Sequence, residues 1–326
     1  MIILEKFYET DNQFLRLYSA MNQSTKTKVI VTGGAGFIGS HLVDALVENG
    51  FDVHVIDNLS GGKKERLNPA ATFHLVDIRD FDKLAPIFKG ARFVFHTAAL
   101  PRVQPSIQDP RTTHEVNVTG ALNVLVAARD AGVKRVVYSA SSSAYGDQET
   151  LPLHEGMDAR PMSPYGLQKY VGELNCRLFS QIYDLGTVSL RYFNVYGPRA
   201  SVEGAYALVV AKFLEQRRLG KPMTVVPDGK QSRDFTHVRD VVRANLLAAE
   251  SPSVGKGEVI NIGGGKPYSV LDVARLIGGP QVMAEPRMEP QHTAADITKA
   301  RQLIGWEPQI TFEDGIEELK GLFNLS

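Results

Sequence analysis

Ser141, Tyr165 and Lys169 are the residues of this chain whose types and spacing can move a proton. Tyr165 and Lys169 stand four apart on an expected helix over 164–183, hence on one face. A free tyrosine titrates near 10 and is a poor base at neutral pH. Bringing it to roughly 7 takes about 4 kcal/mol of preferential stabilisation of the phenolate. A buried lysine ammonium and the positive ring of a nicotinamide are groups able to supply it. Ser141 would hydrogen-bond the same substrate hydroxyl and orient it. A Tyr-x-x-x-Lys pair by itself is ordinarily a solvated surface pair. Position sets this one apart, because it follows a strand expected at 134–139 and the hydroxyl-rich run Ser139–Ser143.

Such a site needs an oxidant beside it, and the start of the chain supplies a place for one. Lys28–Val31 is short, apolar and β-branched, as a buried parallel strand requires. Gly33, Gly36 and Gly39 follow at G-x-x-G-x-x-G spacing, and an amphipathic stretch then runs to a helix stop at Gly50. Glycines let the backbone turn tightly and approach a pyrophosphate, and the helix N-terminus offers free N–H groups and a positive dipole end. A second strand, 52–56, ends at Asp57, where a carboxylate meets the adenosine ribose 2′-hydroxyl and repels a 2′-phosphate. The loop therefore reads as a dinucleotide site, with NAD favoured over NADP. Lys63 and Lys64 stand close by as cations able to attract a phosphate.

Further strands are expected at 73–76, 92–96, 134–139 and 187–192, with helices near 81–88, 112–131 and 164–183. This alternation implies a doubly wound parallel sheet of Rossmann type. It weakens after about 195, where proline-bearing loops separate helices near 205–219, 237–250, 269–277 and 313–323. The expected division is an N-terminal extension (1–24), an NAD-binding domain (25–195) and a smaller α/β substrate-binding domain (196–326), some segments of which return to the first. Ligands of open α/β sheets bind at the carboxyl edge, which the second domain would cover.

Equal numbers of acidic and basic residues, 36 each, leave no basic field to recruit nucleic acid or an anionic membrane. No apolar run approaches the ~20 residues of a bilayer span. Residues 1–24 carry Glu5, Glu9 and Asp11 and lack the pattern of a signal peptide, and no function is assigned to them. The single cysteine, Cys176, rules out an internal disulfide and fits a reducing, cytoplasmic setting.

Taken together, these motifs resemble the extended short-chain dehydrogenases/reductases, specifically nucleotide-sugar 4-epimerases of the UDP-glucose/UDP-N-acetylglucosamine type. The markers are T-G-G-A-G-F-I-G-S-H at 32–41, D-N-L-S-G-G at 57–62, H-T-A-A at 96–99 and S-S-S-A-Y-G at 141–146. S-P-Y-G-L-Q-K at 163–169, L-R-Y-F-N-V-Y-G-P-R at 190–199, R-D-F-T-H-V at 233–238 and A-D-I-T-K-A at 295–300 complete the set, which spans nearly the whole chain. The resemblance implies Tyr165 as general base, Lys169 as its pKa partner and Ser141 as the assisting hydroxyl. It implies a cofactor site made by Gly33, Gly36, Phe37, Ile38, Gly39, Asp57, Asn58, Ser60, Gly61, Asp77, Ile78, Ala98, Ala99, Asn117, Tyr165, Lys169 and Tyr192, with Asp77 and Ile78 flanking adenine. For the substrate it implies Ser141, Ser142, Ser143, Asn194, Thr293, Arg233 and Arg287, the two arginines and Asn194 holding the UDP diphosphate and ribose.

Relatives that dehydrate sugars carry an Asp-Glu pair where Ser142 and Ser143 stand here, and decarboxylating relatives usually carry Glu at the second position. Elimination needs an acid/base beyond tyrosine, and serine hydroxyls do not ionise near neutral pH. The expectation is oxidation at C4 and re-reduction on the other face, with bound NAD regenerated each cycle. Small Thr293, three before Asp296, and the run Gly204–Ala207 resemble enzymes acting on N-acetylated sugars. UDP-glucose/UDP-galactose stays open beside UDP-GlcNAc/UDP-GalNAc. UDP-glucuronate 4-epimerisation, with Arg102 or Arg199 meeting the carboxylate, is an alternative; so are another NDP-sugar dehydratase or reductase and a non-catalytic NAD-binding regulator. Apolar residues on 112–131 (Val118, Leu122, Leu125) and 164–183 (Leu174, Leu178, Ile182) suit a four-helix homodimer interface.

Overall fold

Seven parallel strands form the sheet that carries the chemistry, in the order 256–262 edge strand, β6, β5, β4, β1, β2, β3. Here β1 is Lys28–Thr32, β2 Asp52–Asp57, β3 Thr72–Leu75, β4 Phe93–His96, β5 Arg135–Ser141 and β6 Gly186–Tyr192. The computed structural model describes residues 26–202, 208–285 and 291–325. The N-terminal extension, the Gly204–Ala207 run and Arg287 lie outside them.

β1, β4 and the first six residues of β5 are mostly apolar and, Lys28 apart, buried, because helices cover both faces of the sheet. Helices Phe37–Glu48, Val238–Glu250 and Thr298–Ile304 pack one face, around Leu42, Leu46, Val241 and Trp306. Helices Ala121–Asp130 and Pro164–Tyr183 pack the other, around Val124, Leu125, Cys176 and Phe179. A third cluster gathers Phe213, Leu214, Val273, Ile277, Phe312 and Ile316 from three helices beyond the sheet, together with short two-stranded pairings.

The helix expected over 112–131 is broken into Pro110–His114, a wider turn over Glu115–Gly120, and Ala121–Asp130. The widened turn carries Asn117, whose amide grips the backbone of Leu100: Leu100 N–H donates to Oδ1 at 2.8 Å and Nδ2 donates to the Leu100 carbonyl at 3.1 Å. Such single wide turns are a common device where a helix must present a side chain to a site. The edge strand Lys256–Ile262 was not expected. It lies beyond the point where the alternation weakens, yet it pairs with β6 from Lys256–Thr187 to Ile262–Tyr192. Helix Pro164–Tyr183 begins and ends where the sequence places it; Ser163 accepts the Gly166 N–H at 3.1 Å as its N-cap and Pro164 opens the first turn.

Candidate active site

The glycine loop joins β1 to helix Phe37–Glu48 at the carboxyl edge. Gly33 adopts φ +73°, and a Cβ there would lie 2.6 Å from the Ala98 nitrogen. A Cβ on Gly39 would lie 2.2 Å from the Gly33 carbonyl oxygen. The helix is N-capped by Gly36 without any side-chain cap, so its first N–H groups remain for an incoming anion. Asp57 accepts N–H bonds from Ala35 at 3.0 Å and Leu59 at 2.8 Å. It thus fixes the loop, and its carboxylate keeps lone pairs for a ribose hydroxyl.

Next to Asp57, Asn58 donates to Asp77 at 2.8 Å and accepts from the Ser60 hydroxyl at 2.7 Å. The hydrogen bond and charge of Arg79 hold the Asp77 carboxyl down at about 2. Ile78 is buried against Gly120, where a Cβ would come within 2.6 Å of it. Gly61 has open space around it. Ala98 N–H donates to Thr32 Oγ1 at 3.3 Å, which brings the 97–100 segment against the glycine loop. Phe37 and Ile38 open the helix and are partly buried against the core. Asn117 also donates to Gln168 at 2.9 Å, linking the loop after β4 to the tyrosine helix. The Tyr192 phenol is engaged in the core, with the Ser139 hydroxyl at 3.1 Å and Asn245 at 2.8–3.0 Å.

Ser141 ends β5, and its Oγ accepts from the Ser143 hydroxyl at 2.8 Å and the Ser143 N–H at 3.2 Å. The Tyr165 phenol is buried; burial pushes its pKa up, and the Ser141 hydroxyl opposes the rise. The Tyr165 N–H donates to the buried Ser106 hydroxyl at 3.0 Å, which pins the start of the helix. One turn on, Lys169 is 4% exposed; its Nζ donates to the Ser139 carbonyl at 2.9 Å and stands 5.1 Å from the Tyr138 ring centroid. Burial lowers the Lys169 pKa to about 8, with Glu173 opposing. Burial thus disfavours a lone phenolate and a lone ammonium alike, whereas the two charges together compensate each other.

Sequence reasoning overlooked the residues beneath. Glu173, a further turn along the same face, forms a two-pronged pair with Arg191 on β6: Nε at 2.9 Å and Nη2 at 2.6 Å, both side chains under 5% exposed. The Arg191 guanidinium stacks 4.4 Å from the Tyr145 ring centroid, and Tyr145 donates to Asn261 at 2.7 Å. A charged residue inside an apolar strand, and a Glu four after Lys169, were the available signals. His96 was overlooked as well. It pairs with the Thr32 hydroxyl at 2.7 Å, and burial drives its pKa to about 3, so it is neutral.

On the substrate side, Asn194 holds φ +29° and donates to the Asp234 carbonyl at 2.9 Å. Thr293 accepts from the Asp234 N–H at 3.3 Å. Arg233 donates to the Ser232 carbonyl at 2.9 Å and the Gln291 carbonyl at 3.3 Å. Arg199 is engaged elsewhere, 2.7 Å from Asp44 on the glycine-loop helix. Arg102 holds φ +98° at the head of the short helix Val103–Gln108, whose Ser106 contacts Tyr165. The apolar pocket walled by Tyr196, Pro198, Leu214, Leu319 and Phe323 also takes Arg199 into its lining, but none of Ser141, Tyr165, Lys169, Asn194, Arg233 or Thr293.

A doubly wound parallel sheet with a glycine-loop helix and a Ser–Tyr–Lys set at its carboxyl edge defines a nucleotide-dependent protein of the extended short-chain dehydrogenase/reductase class. Its solved likenesses include a UDP-glucose 4-epimerase of Thermotoga maritima with UDP-glucose, 39% identical, TM-score 0.88, covering 91% of this chain and 99% of that one. A UDP-N-acetylglucosamine 4-epimerase of Methanobrevibacter ruminantium, in complex with UDP-N-acetylmuramic acid, is 36% identical with TM-score 0.87 over 92% and 99%. A UDP-glucuronic acid 4-epimerase of Bacillus cereus, with UDP-glucuronic acid and NAD, is 32% identical with TM-score 0.83 over 91% and 99%. The chain belongs to the NAD dependent epimerase/dehydratase family, whose model matches residues 29–263. The glycine loop, packed so closely that a Cβ on Gly33 or Gly39 would strike neighbouring backbone, and the uncapped helix start fit that dinucleotide.

Proposed function

We propose that this chain is an NAD-dependent UDP-hexose 4-epimerase, with Tyr165 as the proton-transferring base, Ser141 as the orienting hydroxyl and Lys169 as the cation beneath them. The observation that carries the reading is the chemistry around Ser141. Its hydrogen-bond partners among the described residues are the Ser143 hydroxyl and N–H, with no carboxylate to drive an elimination. Gly33, Gly36 and Gly39 would cradle the pyrophosphate, Asp57 the adenosine ribose, and Asp77 and Ile78 the adenine edge. When bound, NAD supplies the hydride acceptor and donor at C4 and a positive ring beside the phenol.

Tyr165 then takes the proton of the 4-hydroxyl while Ser141 fixes that oxygen's direction. Lys169 compensates the phenolate from below. Asn194, Arg233 and Arg287 anchor the diphosphate side, so that the 4-keto sugar turns about a fixed nucleotide and presents its other face. Tyr165 returns the proton to the new 4-hydroxyl.

Thr293 is small and nine-tenths buried beside Asp234. That supports an N-acetylated hexose as substrate, with UDP-glucose and UDP-glucuronate as the alternatives. We place the enzyme in a reducing cytoplasm, in keeping with its buried free thiol Cys176. No described helix is long and apolar enough to cross a membrane. We also propose a homodimer, because Leu122, Leu178 and Ile182 of the expected face, with Leu167 beside them, are 39%, 48%, 64% and 51% exposed, whereas Leu125, expected on that face, is buried in the sheet core.

The test is an NMR time course of purified protein with UDP-GlcNAc, UDP-glucose and UDP-glucuronate in separate tubes, following the anomeric signals. Appearance of a C4 epimer from one of them is the expected result and names the substrate. Three unchanged spectra with NAD bound would overturn the proposal.

A further inference from the structure

We propose that Asp234 is the positioning residue of the nucleotide-sugar pocket, its carboxylate acting as a clasp that holds three separate substrate-facing segments in one register. The inference rests on the UDP-sugar reading above.

Asp234 ends the short strand Ser232–Asp234 and is fully buried. One carboxylate oxygen accepts the N–H of Gly264. The other accepts the N–H of Gly265 at 3.1 Å and of Ala295 at 2.9 Å. Two stretches far apart in sequence are thus tied to a third. The loop 263–265 leaves the sheet's edge strand, and the stretch 291–296 runs beside Ser232–Asp234, with Ser232 N–H to the Gln291 carbonyl at 2.9 Å and Thr293 N–H to the Ser232 carbonyl at 3.1 Å.

The backbone of the same residue completes the arrangement. Its carbonyl accepts from Asn194, its N–H donates to Thr293, and Arg233 is its chain neighbour. Asn194, Arg233 and Thr293, which are proposed to hold the nucleotide and frame the sugar, are therefore spaced through Asp234. The glycines opposite it have the same logic. A Cβ on Gly264 would stand 2.4 Å from the Phe235 carbonyl oxygen, and one on Gly263 would stand 2.4 Å from the Ala295 Cβ. Without side chains there, the loop reaches the carboxylate.

Charge-assisted bonds from backbone N–H groups to a buried carboxylate are the strong members of their class. The proton-transfer set hangs on β5 and helix Pro164–Tyr183, where its hydrogen bonds run to Ser143, Ser106 and the Ser139 carbonyl, away from Asp234. Loosening the clasp should therefore weaken capture of the nucleotide sugar and spare the chemistry.

The experiment replaces Asp234→Asn, which keeps the shape but turns an amide Nδ2 toward N–H donors, and Asp234→Glu, which keeps the charge and moves it by one methylene. NAD content, kcat, KM and calorimetric affinity for UDP are measured for each and for the wild type. The expected result is a rise of tenfold or more in KM and in the UDP Kd, with kcat within threefold and NAD content retained. KM and UDP affinity within twofold of wild type, or a fall in kcat with KM unmoved, would overturn the clasp. Should Asp234→Asn fail to fold, Asp234→Glu decides by the same criteria. A wild type that binds UDP yet epimerises no UDP sugar would overturn the proposed activity and leave the clasp to be decided by the UDP affinities; a wild type that does not bind UDP overturns both.

Discussion

Replacing Glu173 by Gln should separate what its pair with Arg191 does for the fold from what it does for Lys169. The replacement keeps volume and removes the charge, leaving a guanidinium that is 4% exposed without its carboxylate. Breaking a buried pair by removing one partner costs about 3–5 kcal/mol. For 326 residues the unfolding entropy is roughly 0.7 kcal/mol/K, so the midpoint should fall by about 4–7 °C. Burial lowers the pKa of Lys169, and Glu173 opposes it, the balance standing at about 8. Without it the ammonium is lost at lower pH, and the alkaline fall in kcat should move in the acid direction. The companion Glu173→Leu/Arg191→Met should recover much of the stability, since apolar replacements of whole buried pairs are often neutral or better. It should not recover the pH profile. Thermal unfolding by circular dichroism and kcat from pH 6 to 10 read both effects. An unchanged midpoint together with an unmoved alkaline limb in Glu173→Gln would refute the reasoning.

Tyr165→Phe should lower kcat by about 10²–10⁴ while NAD remains bound, checked by turnover and by the absorbance of released cofactor. In the wild type, kcat should fall as pH rises through about 8, where Lys169 loses its proton. An unfolded lysine keeps that proton to about 10.4, so unfolding takes up a proton between the two values and this group's contribution makes stability rise with pH across that window, measurable by denaturant midpoints. Gly39→Ala puts a Cβ 2.2 Å from the Gly33 carbonyl oxygen and 2.8 Å from Thr97 Oγ1. Cofactor content after purification should drop at least tenfold. Ile182→Glu on the exposed helix face should shift the mass seen by light scattering to that of a monomer.

The sheet was legible because its strands are short apolar runs between glycine and proline punctuation, and β1 to β6 lie within a residue or two of their expected bounds. Helix Pro164–Tyr183 was legible to the residue because Ser163-Pro164 is a strong start signal. The edge strand Lys256–Ile262 was not, since Lys256, Gly257 and Glu258 blur its apolar character and the helix before it belongs to the sheet layer only through packing. Asn117 sits in a wide turn that periodicity reads as ordinary helix. The Ser–Tyr–Lys set and the glycine loop were legible from spacing, whereas Glu173, Arg191 and Asp234 act through partners far along the chain, which only the folded sheet brings near.

The late edge strand has a consequence for synthesis. β6 finds its outer neighbour only when Ile262 has been made, 70 residues after Tyr192. At about 5–20 residues per second, the ribosome leaves the open edge of β6 unpaired for roughly 4–14 s. Open, flat edges invite pairing with other chains, so this interval exposes the nascent protein to edge-to-edge association. A chain stopped before residue 256 would keep the whole proton-transfer set and the glycine loop, yet it would carry that sticky edge permanently. Protection of that edge therefore falls to a segment that carries none of the residues proposed to meet nucleotide or sugar.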